Sequence, residues 1–229
     1  MKFATHNIDA VYDPFPIESI AGFPALLKNT PILKGLNVTT PHKEAVIPYL
    51  TEMDPLAAEI GAVNCIAIKE GKTKGYNTDA VGFEKSLNPL LKPQHTHALI
   101  LGTGGSSKAV AYALTQLGIP FRKVSRTRAN GEYSYEELTP EVVSNYKLII
   151  NTTPLGMYPN IDGMPPFPFD HIGDQHLLLD LIYNPEETRF LQMGKEKGAV
   201  IKNGFEMLQL QAEASWEIWN QGAENVDPD

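Results

Sequence analysis

The chain has 229 residues and a formal net charge of −8, enough length for one large α/β domain or two small ones with an ample core. That acidity argues against a general nucleic-acid or membrane surface, while leaving room for a local basic pocket around a phosphate, and no apolar run or N-terminal layout suggests a membrane span or signal peptide. A single cysteine, Cys65, excludes an internal disulfide and a cysteine-based zinc cluster, reads as a buried strand residue and suits a reducing cytoplasm.

Residues 1–9 form a polar, weakly helical lead-in, followed by a predicted strand over 10–15 and a helix over 20–28 that Gly22 and Pro24 weaken. A further strand covers 35–39. Thr40-Pro41 then opens a helix, with a capping hydroxyl and a proline at its first position, that buries Ala45, Val46, Tyr49 and Leu50. Asp54-Pro55 starts a short helix by the same logic, and Gly61 stops it. Residues 62–68 and 73–76 flank Glu70-Gly71 as a hairpin. A helix over 79–87 leads to the proline-bearing stretch 89–93, a domain boundary.

Beyond that boundary, predicted strands at 98–101, 121–124, 148–151, 177–181 and 199–202 alternate with helices, the pattern of a parallel sheet covered on both faces. The proline-rich run 158–168 reads as a loop near the site. The last helix, over 205–219, follows Asn203-Gly204 and carries two tryptophans that read as packing. The acidic residues 224–229 read as a frayed tail.

The chain is organised around Ala98-Leu99-Ile100-Leu101-Gly102-Thr103-Gly104-Gly105-Ser106-Ser107, a buried strand breaking through glycines into a helix. Such a turn presents free backbone N–H groups and the positive end of a helix dipole to an anion. Gly102 and Gly104 let a pyrophosphate approach, and small Ser107 replaces the third glycine of the Rossmann fingerprint. The alternative is an ordinary βα turn. About 20 residues on, where an NAD binder carries an acid for the ribose, the chain reads Ser125-Arg126-Thr127-Arg128 and has no acid before Glu132. Two guanidiniums beside hydroxyls suit a 2′-phosphate and so NADP, unless they are solvated loop charges.

Several residues break local rules. Lys43 falls in the first turn of its predicted helix, where a cation opposes the dipole, and either snorkels into water or has a functional role. Asp79 reads by default as the N-cap of its helix. Asn64 shares a strand face with Ile66 and Ile68, so its amide is either buried with partners or turned into a pocket. Gln211 lies at helical spacing from Met207, Ala214 and Ile218, on an expected apolar face. A lysine beside an aspartate, near a nicotinamide and neutral hydrogen-bonding groups, is what reducing the ketone of a small polyhydroxy acid requires.

The motifs Asn37-Val38-Thr39-Thr40-Pro41-His42-Lys43, Gly61-Ala62-Val63-Asn64, Asn77-Thr78-Asp79, Gly102-Thr103-Gly104-Gly105, Ser125-Arg126-Thr127, Asn151-Thr152-Thr153-Pro154-Leu155-Gly156-Met157 and Asn203-Gly204 with Met207-Leu208 and Gln211 resemble the shikimate dehydrogenase family, in its order and over nearly the whole chain. The resemblance implies NADPH-dependent reduction of 3-dehydroshikimate to shikimate in aromatic amino-acid biosynthesis, by a cytoplasmic monomer or homodimer. It implies an α/β fold of two domains: residues 1–86 with 205–229 for the substrate, and a Rossmann-like doubly wound parallel sheet over 87–204 for NADP. Lys43 and Asp79 become the catalytic pair, and Thr39, Asn64, Asp79, Tyr183 and Gln211 the substrate contacts. Gly102, Thr103, Gly104, Gly105 and Ser106 become the pyrophosphate turn, Arg126 and Thr127 the 2′-phosphate site, and Thr153, Leu181 and Gly204 the nicotinamide side.

Two departures accompany the resemblance. Family members begin with a strand and a Ser-x-Ser-Pro loop that binds the substrate carboxylate, whereas this sequence starts at Met1-Lys2-Phe3-Ala4, inside the following helix. It therefore reads as a shortened member with a central strand missing, a large effect against a stability of about 5–15 kcal/mol, and with weak carboxylate binding or none. Asn130 stands where many NADP-using members carry a further base, a role Arg128 could take over. The competing readings are a quinate/shikimate dehydrogenase and a dinucleotide-binding remnant without catalysis.

Overall fold

The structure, a computed structural model, describes residues 2–128 and 133–220. Asn130, Glu132 and the acidic tail lie outside the described residues. The chain divides into two compact units, the first ending at Leu33 and the second beginning at Lys34.

The first unit holds α1 (Lys2–Thr5), a 3-10 turn over Ile20–Gly22 and α2 (Phe23–Asn29). Pro24 is tolerated because it falls in the first turn of α2, where no N–H is needed. The strand expected over 10–15 does not form. Pro14 and Pro16 remove two ladder donors, and Val11 and Tyr12 stand in solvent.

The second unit opens with a small mixed sheet of β1 (Gly35–Asn37), β2 (Glu52–Met53), β3 (Cys65–Lys69) and β4 (Lys72–Tyr76), in the order β1-β3-β4-β2. The expected hairpin is β3–β4, running antiparallel from Cys65 opposite Tyr76 to Lys69 opposite Lys72. Its turn takes positive φ at both Glu70 and Gly71, as a two-residue hairpin connection requires. Between β2 and β3, α3 (Pro55–Ile60) is capped by Asp54 and ended by left-handed Gly61. Cys65 is buried and free, and burial pushes its thiol up to about 11, so it is an inert strand residue.

One expected element is absent. After Pro41 the chain forms turns and a short 3-10 segment, Ile47–Tyr49, in place of an α-helix. Pro48 has no N–H for the Glu44 carbonyl, and its ring would collide with that carbonyl in a regular helix. Val46 is buried, but Ala45 and Tyr49 are exposed, so the expected buried face does not exist. Lys43 consequently sits in a turn, and the dipole argument for it falls away.

Then come α4 (Asp79–Leu87), β5 (Ala98–Leu101), α5 (Gly105–Gln116), β6 (Phe121–Ser125), β7 (Tyr133–Ser134), α6 (Pro140–Asn145), β8 (Leu148–Asn151), β9 (Leu177–Asp180), α7 (Arg189–Glu196), β10 (Val200–Lys202) and α8 (Phe205–Asn220). The six strands form one parallel sheet in the order β10-β9-β8-β5-β6-β7. β5, β8 and β9 are buried throughout because both faces are covered, which is why their sequences read as unbroken apolar runs. Alternate residues divide between two cores. Ile100, Ile150 and Leu179 face Phe83, Leu87, Val110, Leu114 and Met207 from α4, α5 and α8. Leu99, Ile149 and Leu178 face Val143, Phe167, Phe169, Phe190 and Leu191 on the other side. Each fully buried side chain of this size stabilises the fold by about 1.5–3 kcal/mol.

The chain runs outward from β5 through β6 to β7, and outward on the other side through β8, β9 and β10. The strand order therefore reverses between β5 and β8, the position where doubly wound sheets bind ligands beyond their carboxyl ends. Among the described residues no helix is long and apolar enough to cross a membrane.

Candidate active site

Lys43 is held by its backbone before its side chain does anything: its carbonyl accepts from Val63 N at 2.8 Å, fixing the turn beside the approach to β3. Its Nζ lies 2.7 Å from Asp79 Oδ2, with the two side chains only 14% and 8% exposed. A pair so far out of water is weak evidence for stability, since desolvation offsets most of the attraction. Its presence points instead to chemistry.

The second carboxylate oxygen, Asp79 Oδ1, accepts from Asn64 Nδ2 at 2.9 Å, and Asn64 Oδ1 accepts from Thr78 N at 2.7 Å. The amide of Asn64 also donates to Thr78 Oγ1 at 2.9 Å and to Gln211 Oε1 at 3.3 Å. Behind them, Ser215 Oγ on α8 donates to the Gln211 carbonyl and accepts from Asn37 Nδ2, both at 3.0 Å. Of the two alternatives for Asn64, the buried amide with partners is the one found, and Gln211 meets it from α8. Asp79 is the first residue of α4, after Thr78 in the cap position, so its carboxylate is available to Lys43 and Asn64.

The glycine turn closes the other side. Gly102 has φ +109°, and a Cβ there would lie 2.7 Å from Thr152 Oγ1, so the turn needs glycine for both its conformation and its contact with the residue after β8. Gly104 is the N-cap of α5 and has open space where a side chain would be. In the first turn of α5, Ser107 N donates to the Gly104 carbonyl at 2.9 Å, while the helix itself offers no carbonyl to the amides of Gly105 and Ser106. An exposed cradle at the start of a twelve-residue helix fits the pyrophosphate of a dinucleotide. Ser107 Oγ donates to the Gly104 carbonyl at 2.8 Å, which tightens the turn where the third glycine is missing. Ser106 Oγ accepts from Lys43 Nζ at 3.2 Å, so the turn and the charged pair adjoin.

At the end of β6, Arg126 and Thr127 are exposed, and the hydroxyl of Ser125 donates to the Thr127 carbonyl. Arg128 pairs with Glu137 at 2.9 Å, whereas Arg126 makes no ion pair among the described residues. A free guanidinium beside a hydroxyl fits a 2′-phosphate. Thr153 is held through its N–H and hydroxyl by Asn151 Oδ1, at 3.0 and 2.7 Å. A Cβ on Gly204 would lie 2.1 Å from the Leu181 carbonyl oxygen, so those two expected residues pack backbone against backbone. Thr39 and Tyr183 are exposed, and among the described residues their side chains take no part in the network.

Sequence reasoning assigned no role to Thr78, Ser215, Asn151, Asp180 or Thr188. Asp180 carried a legible signal: a lone acid closing the apolar strand Leu177-Leu178-Leu179 at the carboxyl edge of the sheet.

The parallel sheet and its glycine turn define a dinucleotide-binding α/β protein, with a lysine–aspartate pair adjoining the turn. Residues 1–66 match the family described as shikimate dehydrogenase substrate binding domain. The NADP(+) shikimate dehydrogenase of Bacillus cereus is 36% identical over 96% of this chain and 86% of its own length. Shikimate dehydrogenase 1 from Peptoclostridium difficile superposes with a TM-score of 0.85 at 36% identity, over 99% of this chain and 86% of that one. The shikimate 5-dehydrogenase of Thermus thermophilus, solved with NADP(H) and shikimate, gives a TM-score of 0.84 at 29% identity, over 96% of this chain and 85% of that one. The chain belongs to the shikimate dehydrogenase family.

Proposed function

We propose that the chain is an NADP-dependent shikimate dehydrogenase, catalysing the reversible reduction of 3-dehydroshikimate to shikimate in aromatic amino-acid biosynthesis. The observation that carries this reading is the Lys43–Asp79 pair, nearly out of water and linked to the glycine turn through Ser106. Family membership supplies the substrate class and the cofactor.

Gly102, Thr103, Gly104, Gly105 and Ser106 would hold the pyrophosphate, Arg126 and Thr127 the 2′-phosphate, and Thr153, Leu181 and Gly204 the nicotinamide side. When bound, the reduced nicotinamide supplies the hydride. In the reducing direction the Lys43 ammonium gives a proton to the substrate carbonyl oxygen as it becomes a hydroxyl; in the oxidising direction the amine takes that proton back. Asp79 orients the lysine, and Asn64 fixes the carboxylate from its other oxygen. Thr39 and Tyr183, whose hydroxyls make no hydrogen bond among the described residues, and the Gln211 amide would read substrate hydroxyls. A site that hydrogen-bonds each hydroxyl rejects analogues lacking one.

Residues 1–86 with 205–229 would serve the substrate and 87–204 the cofactor. This division is supported by α8, whose Trp219 Nε1 donates to the Ile66 carbonyl at 3.0 Å and whose Ser215 meets Asn37 from β1. A monomer or homodimer in the reducing cytoplasm suits a chain whose one cysteine is buried. The test is shikimate-dependent reduction of NADP+ by the purified chain, measured beside quinate with NAD+. Turnover with shikimate and NADP+ is expected. Turnover confined to quinate with NAD+, or none with either, contradicts the reading.

A further inference from the structure

We propose that Asp180 is a positioning residue that sets the nicotinamide end of the cofactor site by holding together the loops after β8 and β9. The inference rests on the proposed function, specifically on Thr153, Leu181 and Gly204 lying at the nicotinamide side.

Asp180 closes β9 and has no exposed surface. A carboxylate there is costly unless every lone pair is used, and its partners fall on three separate pieces of chain. Oδ1 accepts from Asn151 Nδ2 at 3.1 Å, across the sheet at the end of β8. The same oxygen accepts from Ile182 N at 3.0 Å, bending the backbone immediately after Leu181. Oδ2 accepts from Thr188 Oγ1 at 2.6 Å, and Thr188 is the N-cap of α7, accepting in turn from Leu191 N at 3.4 Å. Burial pushes the Asp180 carboxyl up to about 6, and the bonds from Thr188, Ile182 and Asn151 pull the other way.

Each expected nicotinamide-side residue is reached through this group. Asn151, anchored by its amide nitrogen on Asp180, uses its oxygen to hold both the N–H and the hydroxyl of Thr153. Leu181 is fixed by the Ile182 bond. Gly204 donates from its N–H to the Ile182 carbonyl at 3.0 Å and lies against the Leu181 carbonyl, so it follows wherever that backbone goes. The Arg126–Thr127 site lies at the end of β6, away from this network, and the glycine turn, though Gly102 packs against Thr152, is pinned from its own side by Gly102 N on the Val124 carbonyl at 2.8 Å and Ser107 Oγ on the Gly104 carbonyl at 2.8 Å. The network thus governs one end of the cofactor site.

That asymmetry gives a test independent of turnover. Binding of NADP+ and of adenosine 2′,5′-bisphosphate, which lacks the nicotinamide half, is measured by calorimetry on the full chain and on Asp180→Asn. The substitution keeps the shape but places an NH2 donor toward a hydroxyl that was itself donating. NADP+ is expected to weaken by about tenfold, the cost of a lost hydrogen bond to a charged group, while the bisphosphate stays within about twofold. Equal weakening of both, or of neither, overturns the inference. Should Asp180→Asn fail to fold, Thr153→Val removes the partly exposed end of the same network, with the same split expected and an unchanged NADP+ affinity overturning it. A wild-type chain that binds neither ligand would overturn the cofactor reading itself, and the inference with it.

Discussion

Lys43 and Ser106 stand 63 positions apart in sequence and 3.2 Å apart in the fold, the ammonium donating to the hydroxyl. Ser106 belongs to the first turn of α5, so the proposed proton carrier is tied to the proposed pyrophosphate turn. One residue beyond Lys43 and two beyond Ser106, the connection repeats at the surface: Glu44 Oε2 lies 2.6 Å from Lys108 Nζ. An exposed ion pair of that kind stabilises little on its own, but with the Ser106 bond it keeps α5 and the Lys43 turn in register.

Arg126 is expected to decide cofactor preference. Its guanidinium is exposed and makes no ion pair among the described residues, while Arg128 is engaged by Glu137. Arg126→Ala should weaken NADPH by about tenfold or more, the worth of a charge-assisted bond to phosphate, and leave NADH nearly unchanged. Fluorescence titration of the two cofactors checks this. Equal loss of both would remove the 2′-phosphate from this position.

Asn64 is expected to matter for stability as well as for the site. Asn64→Ala would leave Asp79 Oδ1 and the Thr78 N–H without their partner in a buried setting. Orphaned polar groups of this kind cost about 1–3 kcal/mol each, so the urea midpoint should fall clearly with the slope unchanged. A loss under about 0.5 kcal/mol, the range of an ordinary surface substitution, would show that water replaces the amide.

Stability should decline as the solution is acidified from pH 7.5 to 6. Burial, with the charge of Lys92, holds His95 below its ordinary value of 6.5, and burial, with the charge of Lys147, does the same for His176. In the folded chain each takes up its proton at lower pH than in the unfolded chain, which protonates as pH falls through 6.5, so the unfolded state gains. Asp180 works in the opposite sense at lower pH: with its carboxyl raised from 3.8 to about 6, the folded state binds the extra proton, and its contribution falls as pH rises across that window. Urea midpoints across the range check the first effect, and His176→Gln should flatten it. A midpoint that rises between pH 7.5 and 6 contradicts the assignment.

The parallel sheet was legible because strands buried on both faces leave unbroken apolar runs, as at Leu148-Ile149-Ile150 and Leu177-Leu178-Leu179. The hairpin at Glu70-Gly71 was legible because its turn needs those backbone conformations. Misreadings arose where proline has two meanings. Pro41 resembles a helix start, but Pro48 forbids the helix it would start; Pro14 and Pro16 likewise deny the ladder that Val11 and Tyr12 suggest. β7 spans two residues and carries no periodicity to detect. Lys43, Asn64, Asp79 and Gln211 could each be singled out as misplaced, yet their convergence is a tertiary fact that no local spacing contains. Asp180 is harder to read, because a single acid at a strand end resembles an ordinary loop residue until its three bonding partners are seen around it.

The central claim is that Lys43 moves the proton beside the cofactor. It is tested most directly by Lys43→Ala, with turnover of shikimate by NADP+ and affinity for NADP+ measured on the same preparation. Turnover should fall by about a hundredfold or more, the range for a lost general acid–base group, with cofactor affinity nearly unchanged. Turnover and affinity falling together would give Lys43 a structural role and contradict the account.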